Sequence, residues 1–388
     1  MFLTGSASFL NAQSKGLSAD EVIKKASRKL ESLKSISYRS RIEYNYSSEG
    51  YLAETNVQAY MEFTSLAAAL GIRFQFTDLD PKRDLSGTYN GSDLFFLRKA
   101  AKELIVNKAV PSNRLVSLTG LQFSPLMIRN ALSKLIADPS IPRSLSESVV
   151  GSEKVLVVEV VLDKRLLNSG NGEIETRKDG LATTYRISFA SDTMLPVEIY
   201  RGNTTNKDFN RTTFTDLVVT PAPPVENSWY YSTYLKDYKY AEPSKIELIK
   251  TGTIAPNLSL PQFPNGGLGS LDALKGKVVL LEFWIAYCGF CQAAVPRLNT
   301  IHKTFKGENF DLMSVNIANT PEQIGFFAKK TGVQFPMMQG GEDTAKVYGV
   351  SGYPSIVLIG KDGKIIYSGA GLPDDLNIED LIRNSLEK

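Results

Sequence analysis

Seven consecutive residues, Val278-Val279-Leu280-Leu281-Glu282-Phe283-Trp284, carry a single charge among six apolar side chains, and a Cys-x-x-Cys begins four residues later. A half-exposed strand alternates polar and apolar residues, whereas a strand buried on both faces is apolar almost throughout. The run therefore reads as a central strand. Ile285-Ala286-Tyr287 follows it, then Cys288-Gly289-Phe290-Cys291, then a stretch of helical character from Gln292 to about Phe305.

A cysteine pair between a buried strand and a helix has a definite chemistry. The unpaired N–H groups and dipole of the helix start favour negative charge at the first sulfur. Such a setting lowers a thiol pKa from about 8.5 into a range of roughly 3.5–7.5. The thiolate attacks, and a second cysteine one helical turn on resolves the mixed disulfide. Cys288 is thus the expected nucleophile and Cys291 the resolving thiol. A structural zinc site takes about four ligands, but the chain has two cysteines and one histidine. A disulfide across two residues closes a small loop and stabilises little. Placing both cysteines in one motif favours redox work.

The stretch from Gly252 to Lys388 resembles the TlpA/ResA-like periplasmic thioredoxins of the AhpC/TSA-redoxin superfamily. The resemblance rests on Ala255-Pro256, Leu274-Lys275-Gly276-Lys277, Phe283-Trp284, the Cys-x-x-Cys, Pro296, and Val350-Ser351-Gly352-Tyr353-Pro354-Ser355, with a strand Ile356–Ile359, a turn at Lys361–Lys364 and a final helix. It implies an α/β thioredoxin fold and a thiol–disulfide oxidoreductase of the protein-disulfide reductase type, its direction left open. It implies no cofactor or metal beyond the Cys288–Cys291 disulfide. Pro354 matches the family's cis-proline, with the Tyr353 backbone offered to an extended substrate. Trp284 and Tyr287 are expected with them among the substrate contacts. Glu282 matches the buried acid of thioredoxin, whose raised pKa would suit it to take the proton of Cys291; the alternative is a strand-end glutamate reaching solvent. Tyr287 stands where tryptophan is usual and Phe290 where proline is common. His302, eleven residues past Cys291, is expected at the surface.

Upstream, residues 17–220 begin with a helix (Val22, Ile23, Ala26, Leu30 and Leu33 at helical spacing) and change to period two at Tyr38, Ile42, Tyr44 and Tyr46. Further strands are expected at Arg73–Phe76, Asp93–Leu97, Leu104–Asn107, Val155–Leu162, Thr183–Phe189, Pro196–Tyr200 and Arg211–Val218, with a helix from Pro125 to Ala137. The order resembles the LolA-like half-barrel of periplasmic lipoprotein carriers, an α+β antiparallel sheet domain. Tyr89–Phe95 and Thr193–Val197 carry that likeness. It implies an apolar ligand on the concave sheet; an aromatic core without a ligand is the alternative. Residues 221–250, rich in proline and tyrosine, form a linker expected to pack on a domain, and 251–388 form the redox domain. Residues 1–16 read either as the back half of a secretory signal peptide, cleaved near Ala12, or as a frayed start.

These readings converge on an exported, periplasmic reductase of protein disulfides, with protein disulfides or dithiols as substrates and a membrane electron donor upstream. The alternatives are an oxidant or isomerase, or a carrier of lipid or another hydrophobic ligand with a redox docking module. The net charge of +3, from 44 basic and 41 acidic residues, gives no electrostatic footprint for nucleic acid.

Overall fold

The computed structural model describes residues 16–64, 70–177, 180–241, 247–373 and 375–387. The export-signal reading falls on residues outside that set, Gly16 apart. Two compact units, Met1–Ser244 and Lys245–Lys388, make up the chain.

The first unit opens with α1 (Ala19–Glu31). Ser18 caps it reciprocally: its hydroxyl accepts the Glu21 N–H, and the Glu21 carboxylate accepts the Ser18 N–H. Six strands follow as a meander: β1 (Ser35–Tyr46), β2 (Tyr51–Phe63), β3 (Ile72–Asp78), β4 (Leu85–Tyr89), β5 (Leu94–Arg98) and β6 (Glu103–Asn107). A single-turn helix α2 (Ser112–Leu115) leads to α3 (Pro125–Ala137), which has Ser124 as N-cap and proline at its first position. The chain continues through β7 (Arg143–Val150), β8 (Glu153–Leu162), the small pair β9 (Arg165–Leu167) and β10 (Ile174–Thr176), β11 (Thr183–Ala190), β12 (Pro196–Asn203), β13 (Phe209–Val219) and β14 (Lys239–Tyr240). Among the described residues twelve of these strands form one sheet, in the order β14-β6-β5-β4-β3-β2-β1-β13-β12-β11-β8-β7. Every pairing is antiparallel except β14 with β6.

The period-two pattern decides which face each side chain serves. Ile36, Tyr38, Ile42, Val57, Met61, Phe74 and Tyr185 point to one side and pack with Val22, Ile23 and Leu30 of α1 and Ile128, Leu132 and Leu135 of α3. Apolar side chains of both helices and the sheet pack together there. On the other side, Phe95, Leu97, Leu104 and Val106 meet Tyr231, Tyr234 and Tyr238, and Trp229 lies under the Arg73 guanidinium at 4.1 Å. The proline- and tyrosine-rich segment expected as a linker thus lies on the sheet up to Tyr240, where β14 covers the edge of β6. Beside these contacts a cavity of about 590 Å³ opens between segment and sheet, lined by Gln58, Gln75, Phe76, Leu97, Pro221 and Tyr238 among others.

Strands β2, β4, β7, β9, β10 and β14 fall outside the expected set. In β2 the inward residues are Thr55, Val57, Ala59 and Met61, so its apolar alternation is faint although its neighbours bury it. β7, an edge strand, has no buried residue.

The second unit holds β15 (Ser259–Phe263), β16 (Leu268–Ser270), β17 (Val278–Trp284), α4 (Gly289–Thr304), β18 (Phe310–Asn316), α5 (Pro321–Thr331), β19 (Met337–Met338), α6 (Glu342–Val347), β20 (Ser355–Ile359), β21 (Ile365–Ala370) and α7 (Ile378–Leu386). The sheet order is β16-β15-β19-β18-β17-β20-β21. β17 runs parallel to β18 and antiparallel to β20. All seven residues of β17 are buried. Val278, Leu280 and Trp284 join a core with α4, α5 and α7, and Val279, Leu281 and Phe283 join a second core with Ala345 and Tyr348 on the α6 side. A central strand between helical layers, with a Cys-x-x-Cys at its end, is a thioredoxin fold.

Two complete cores of its own give the second unit the means to fold alone. Residues 247–388, produced as a fragment, are expected to unfold in one cooperative urea transition followed by circular dichroism. A gradual, non-cooperative loss of signal would contradict this.

Candidate active site

β17 aims the chain at the site. Its alternation puts Glu282 on the same side as Leu280 and Trp284, facing the layer to which α4 belongs. Glu282 is 2% exposed. It sits opposite Ser314 of β18, whose hydroxyl donates to Glu282 Oε2 at 2.8 Å. Burial pushes the carboxyl up to about 7, and the Ser314 hydrogen bond offsets only part of that. The solvent-reaching alternative is not what the structure holds.

The turn between β17 and α4 is fastened by asparagines. The Ala286 N–H donates to Asn319 Oδ1 at 2.8 Å. Asn316 Nδ2 donates to the same oxygen at 3.0 Å, and the Asn319 N–H returns a bond to Asn316 Oδ1 at 2.8 Å. Sequence reasoning missed this clamp; its signal was the Asn319-Thr320-Pro321 start of α5, where Thr320 and Gln323 form a capping box.

Cys288 is the N-cap of α4, and its Sγ accepts the Cys291 N–H at 3.1 Å. This is the position where free helical N–H groups favour a thiolate. Cys288 and Cys291 are joined as a disulfide with Cα atoms 5.1 Å apart. Cys288 is half-buried, while Cys291 is fully buried in the core that holds Trp284. From the opposite side, the Tyr353 carbonyl oxygen lies 3.4 Å from Cys288 Sγ, and the Tyr353–Pro354 peptide is cis. Ser355 steadies this loop by donating to the Gly352 carbonyl at 2.8 Å. Behind the site, Arg297 of α4 pairs with both carboxylate oxygens of Glu379 in α7, at 2.9 and 2.6 Å.

The expected residues fall into two groups. Cys288, Cys291, Tyr353 and Pro354 come together at the end of β17, and Tyr287 is half-buried beside them. Trp284, expected among the substrate contacts, is corrected by its surroundings. It is 1% exposed and its ring lies 4.1 Å from that of Phe327, so it offers a substrate no surface and supports the pair from beneath. Alternation in a doubly buried strand sends every side chain inward. His302 is half-buried in the last turn of α4, where burial lowers its pKa. Phe290 is 79% exposed between the two cysteines.

By sequence, the second unit is similar to known thiol–disulfide oxidoreductases. The family model described as Redoxin matches residues 250–382. The chain is 32% identical over 135 residues to the thiol-disulfide oxidoreductase ResA of Bacillus subtilis (strain 168), covering 34% of this chain and 75% of that protein. It is 29% identical over 141 residues to ResA of Bacillus cereus, covering 36% and 81%. The crystal structure of the thioredoxin domain of a thiol-disulfide oxidoreductase from Bacteroides vulgatus is similar at 26% identity and a TM-score of 0.32, covering 34% of this chain and 99% of that one.

The Glu282 carboxyl has a measurable signature. Its folded pKa lies above its unfolded value, so its stabilising contribution is whole below about pH 4.5 and is lost as pH rises through about 7. The loss amounts to roughly 3 kcal/mol. Urea unfolding of the oxidised protein is expected to show Glu282→Gln gaining on the wild type by that order between pH 4.5 and pH 8.5. A stability difference that does not change with pH would contradict it.

Proposed function

Because the chain belongs to the Redoxin family, among the ResA-type thiol–disulfide oxidoreductases, we propose that it is an exported enzyme passing electrons to disulfides of other proteins through Cys288 and Cys291. One observation carries the assignment of roles. Cys288 is half-buried at the start of α4 and takes the Cys291 N–H, while Cys291 is sealed beneath it.

In the reduced enzyme the Cys288 thiolate attacks one sulfur of a substrate disulfide, and the other substrate sulfur leaves as a thiolate. Cys291 then loses its proton to the Glu282 carboxylate and attacks Cys288 Sγ. The second substrate thiol departs, and the enzyme is left as the Cys288–Cys291 disulfide. A carboxyl with a pKa of about 7 is matched to that transfer near neutrality. The Tyr353 backbone beside Sγ can pair with an extended substrate strand, with Pro354 and Tyr287 bordering it. In this mechanism the Cys288–Cys291 dithiol itself carries both electrons. A dithiol donor at the membrane is proposed to restore the reduced form, and the export is likewise part of this proposal.

For the N-terminal unit we keep the LolA-like half-barrel as our reading, on the support of its long antiparallel sheet with α1 and α3 on one face. A role in selecting the protein partner suits it better than carriage of an acyl chain. The helix-covered face is packed with apolar side chains, and the cavity on the opposite face mixes amide and hydroxyl groups with Phe76, Leu97 and Pro221 in about equal measure.

The test is capture. Cys291→Ser should accumulate mixed disulfides at Cys288 with exported proteins and stop catalytic turnover of insulin, while Cys288→Ser should capture nothing. Capture at Cys291 in the Cys288→Ser protein, with none at Cys288, would reverse the roles; continued turnover by either variant would end the dithiol mechanism.

A further inference from the structure

Phe290 stands in the first turn of α4, between the two cysteines, with 79% of its surface exposed. Single exposed hydrophobic residues carry no message by themselves. This one differs in its location, because a polypeptide presenting a disulfide to Cys288 Sγ must approach over the turn that carries it. The adjoining surface is open. Gly289 is exposed, and a Cβ placed there would meet no atom within 4 Å. The first turn of α4 has no acidic residue. Tyr287 and Tyr353 are half-buried and both pack against the core that holds Cys291, so aromatic residues stand at the motif's entry, within it at Phe290, and in the loop whose carbonyl reaches Cys288 Sγ. Phe290 buries only a small part of its surface in the fold, whereas its ring would lose water contact on docking of an apolar side chain.

We propose that Phe290 is a specificity-determining residue, selecting disulfides in which a bulky apolar side chain flanks the attacked cysteine. This rests on the reading of Cys288 as the attacking sulfur. The substrate class follows from the chemistry: cysteines paired within apolar segments, which a polypeptide exposes before it is folded or when it is misfolded. The Tyr353 backbone can hold such a segment in extended form whatever its sequence, and Phe290 supplies the side-chain discrimination that backbone pairing lacks.

The experiment uses the full chain and two disulfide peptides that are identical except for leucine or serine beside the attacked cysteine. Wild type is expected to favour the leucine peptide by about tenfold in kcat/KM, the scale of discrimination by an apolar contact. Phe290→Ser should reduce the preference to about twofold, with the change in KM, and Phe290→Leu should restore most of it. The reduction potential of the couple is measured on the same proteins. Equal use of the two peptides by wild type overturns the proposal, as does a preference that survives in Phe290→Ser. A fall in kcat accompanied by a moved potential, in place of a change in KM, overturns it too. Reduction of neither peptide by wild type would instead sink the reductase reading on which the proposal rests.

Discussion

Burial of β17 between two apolar layers is the constraint from which the redox unit follows. With every side chain of Val278–Trp284 inward, the strand cannot shift register without driving its one carboxylate into a different environment. Its fixed position sets where the chain emerges, hence where α4 begins and which sulfur meets the free N–H groups. The same burial that makes the strand stable withholds water from Glu282 and lifts its pKa to about 7. Stability and proton chemistry therefore come from one packing arrangement, and the redox pair inherits both.

The loops around that strand complete the site by reaching it from two elements. The turn from β18 into α5 brings Asn316 and Asn319 under Ala286, and the loop before β20 brings Tyr353 to Cys288 Sγ. Neither contact is local in sequence. Arg297 and Glu379 tie α4 to α7 with a bidentate, partly buried pair, so the helix that carries the cysteines is held along its length as well as at its start.

Local patterns were legible and distant partners were not. The Cys-x-x-Cys, the apolar run before it and the Pro125–Ala137 helix were readable because each is written in consecutive residues. The β2 strand was not, because its inward face is built from Thr55, Val57, Ala59 and Met61 and depends on β1 and β3 to be buried. Trp284 was misplaced among the surface contacts for a related reason: adjacency to the motif in sequence does not say which way a strand residue points. The Asn319 clamp lay more than thirty residues from the atom it holds. In the N-terminal unit, the pattern could show that a sheet existed, but only the packed structure shows that α1 and α3 cover one face and that a cavity lies beside the tyrosine-rich segment on the other.

The most direct test of the account is a single-turnover electron count. The fully reduced protein is mixed anaerobically with an equimolar protein disulfide, quenched by alkylation, and its thiols and those of the substrate are counted. Dithiol exchange at Cys288 and Cys291 predicts that one substrate disulfide is opened for each Cys288–Cys291 disulfide formed, with no other electron source present. A protein that keeps both thiols while the substrate stays oxidised, or that oxidises without delivering its electrons to the substrate, would contradict it.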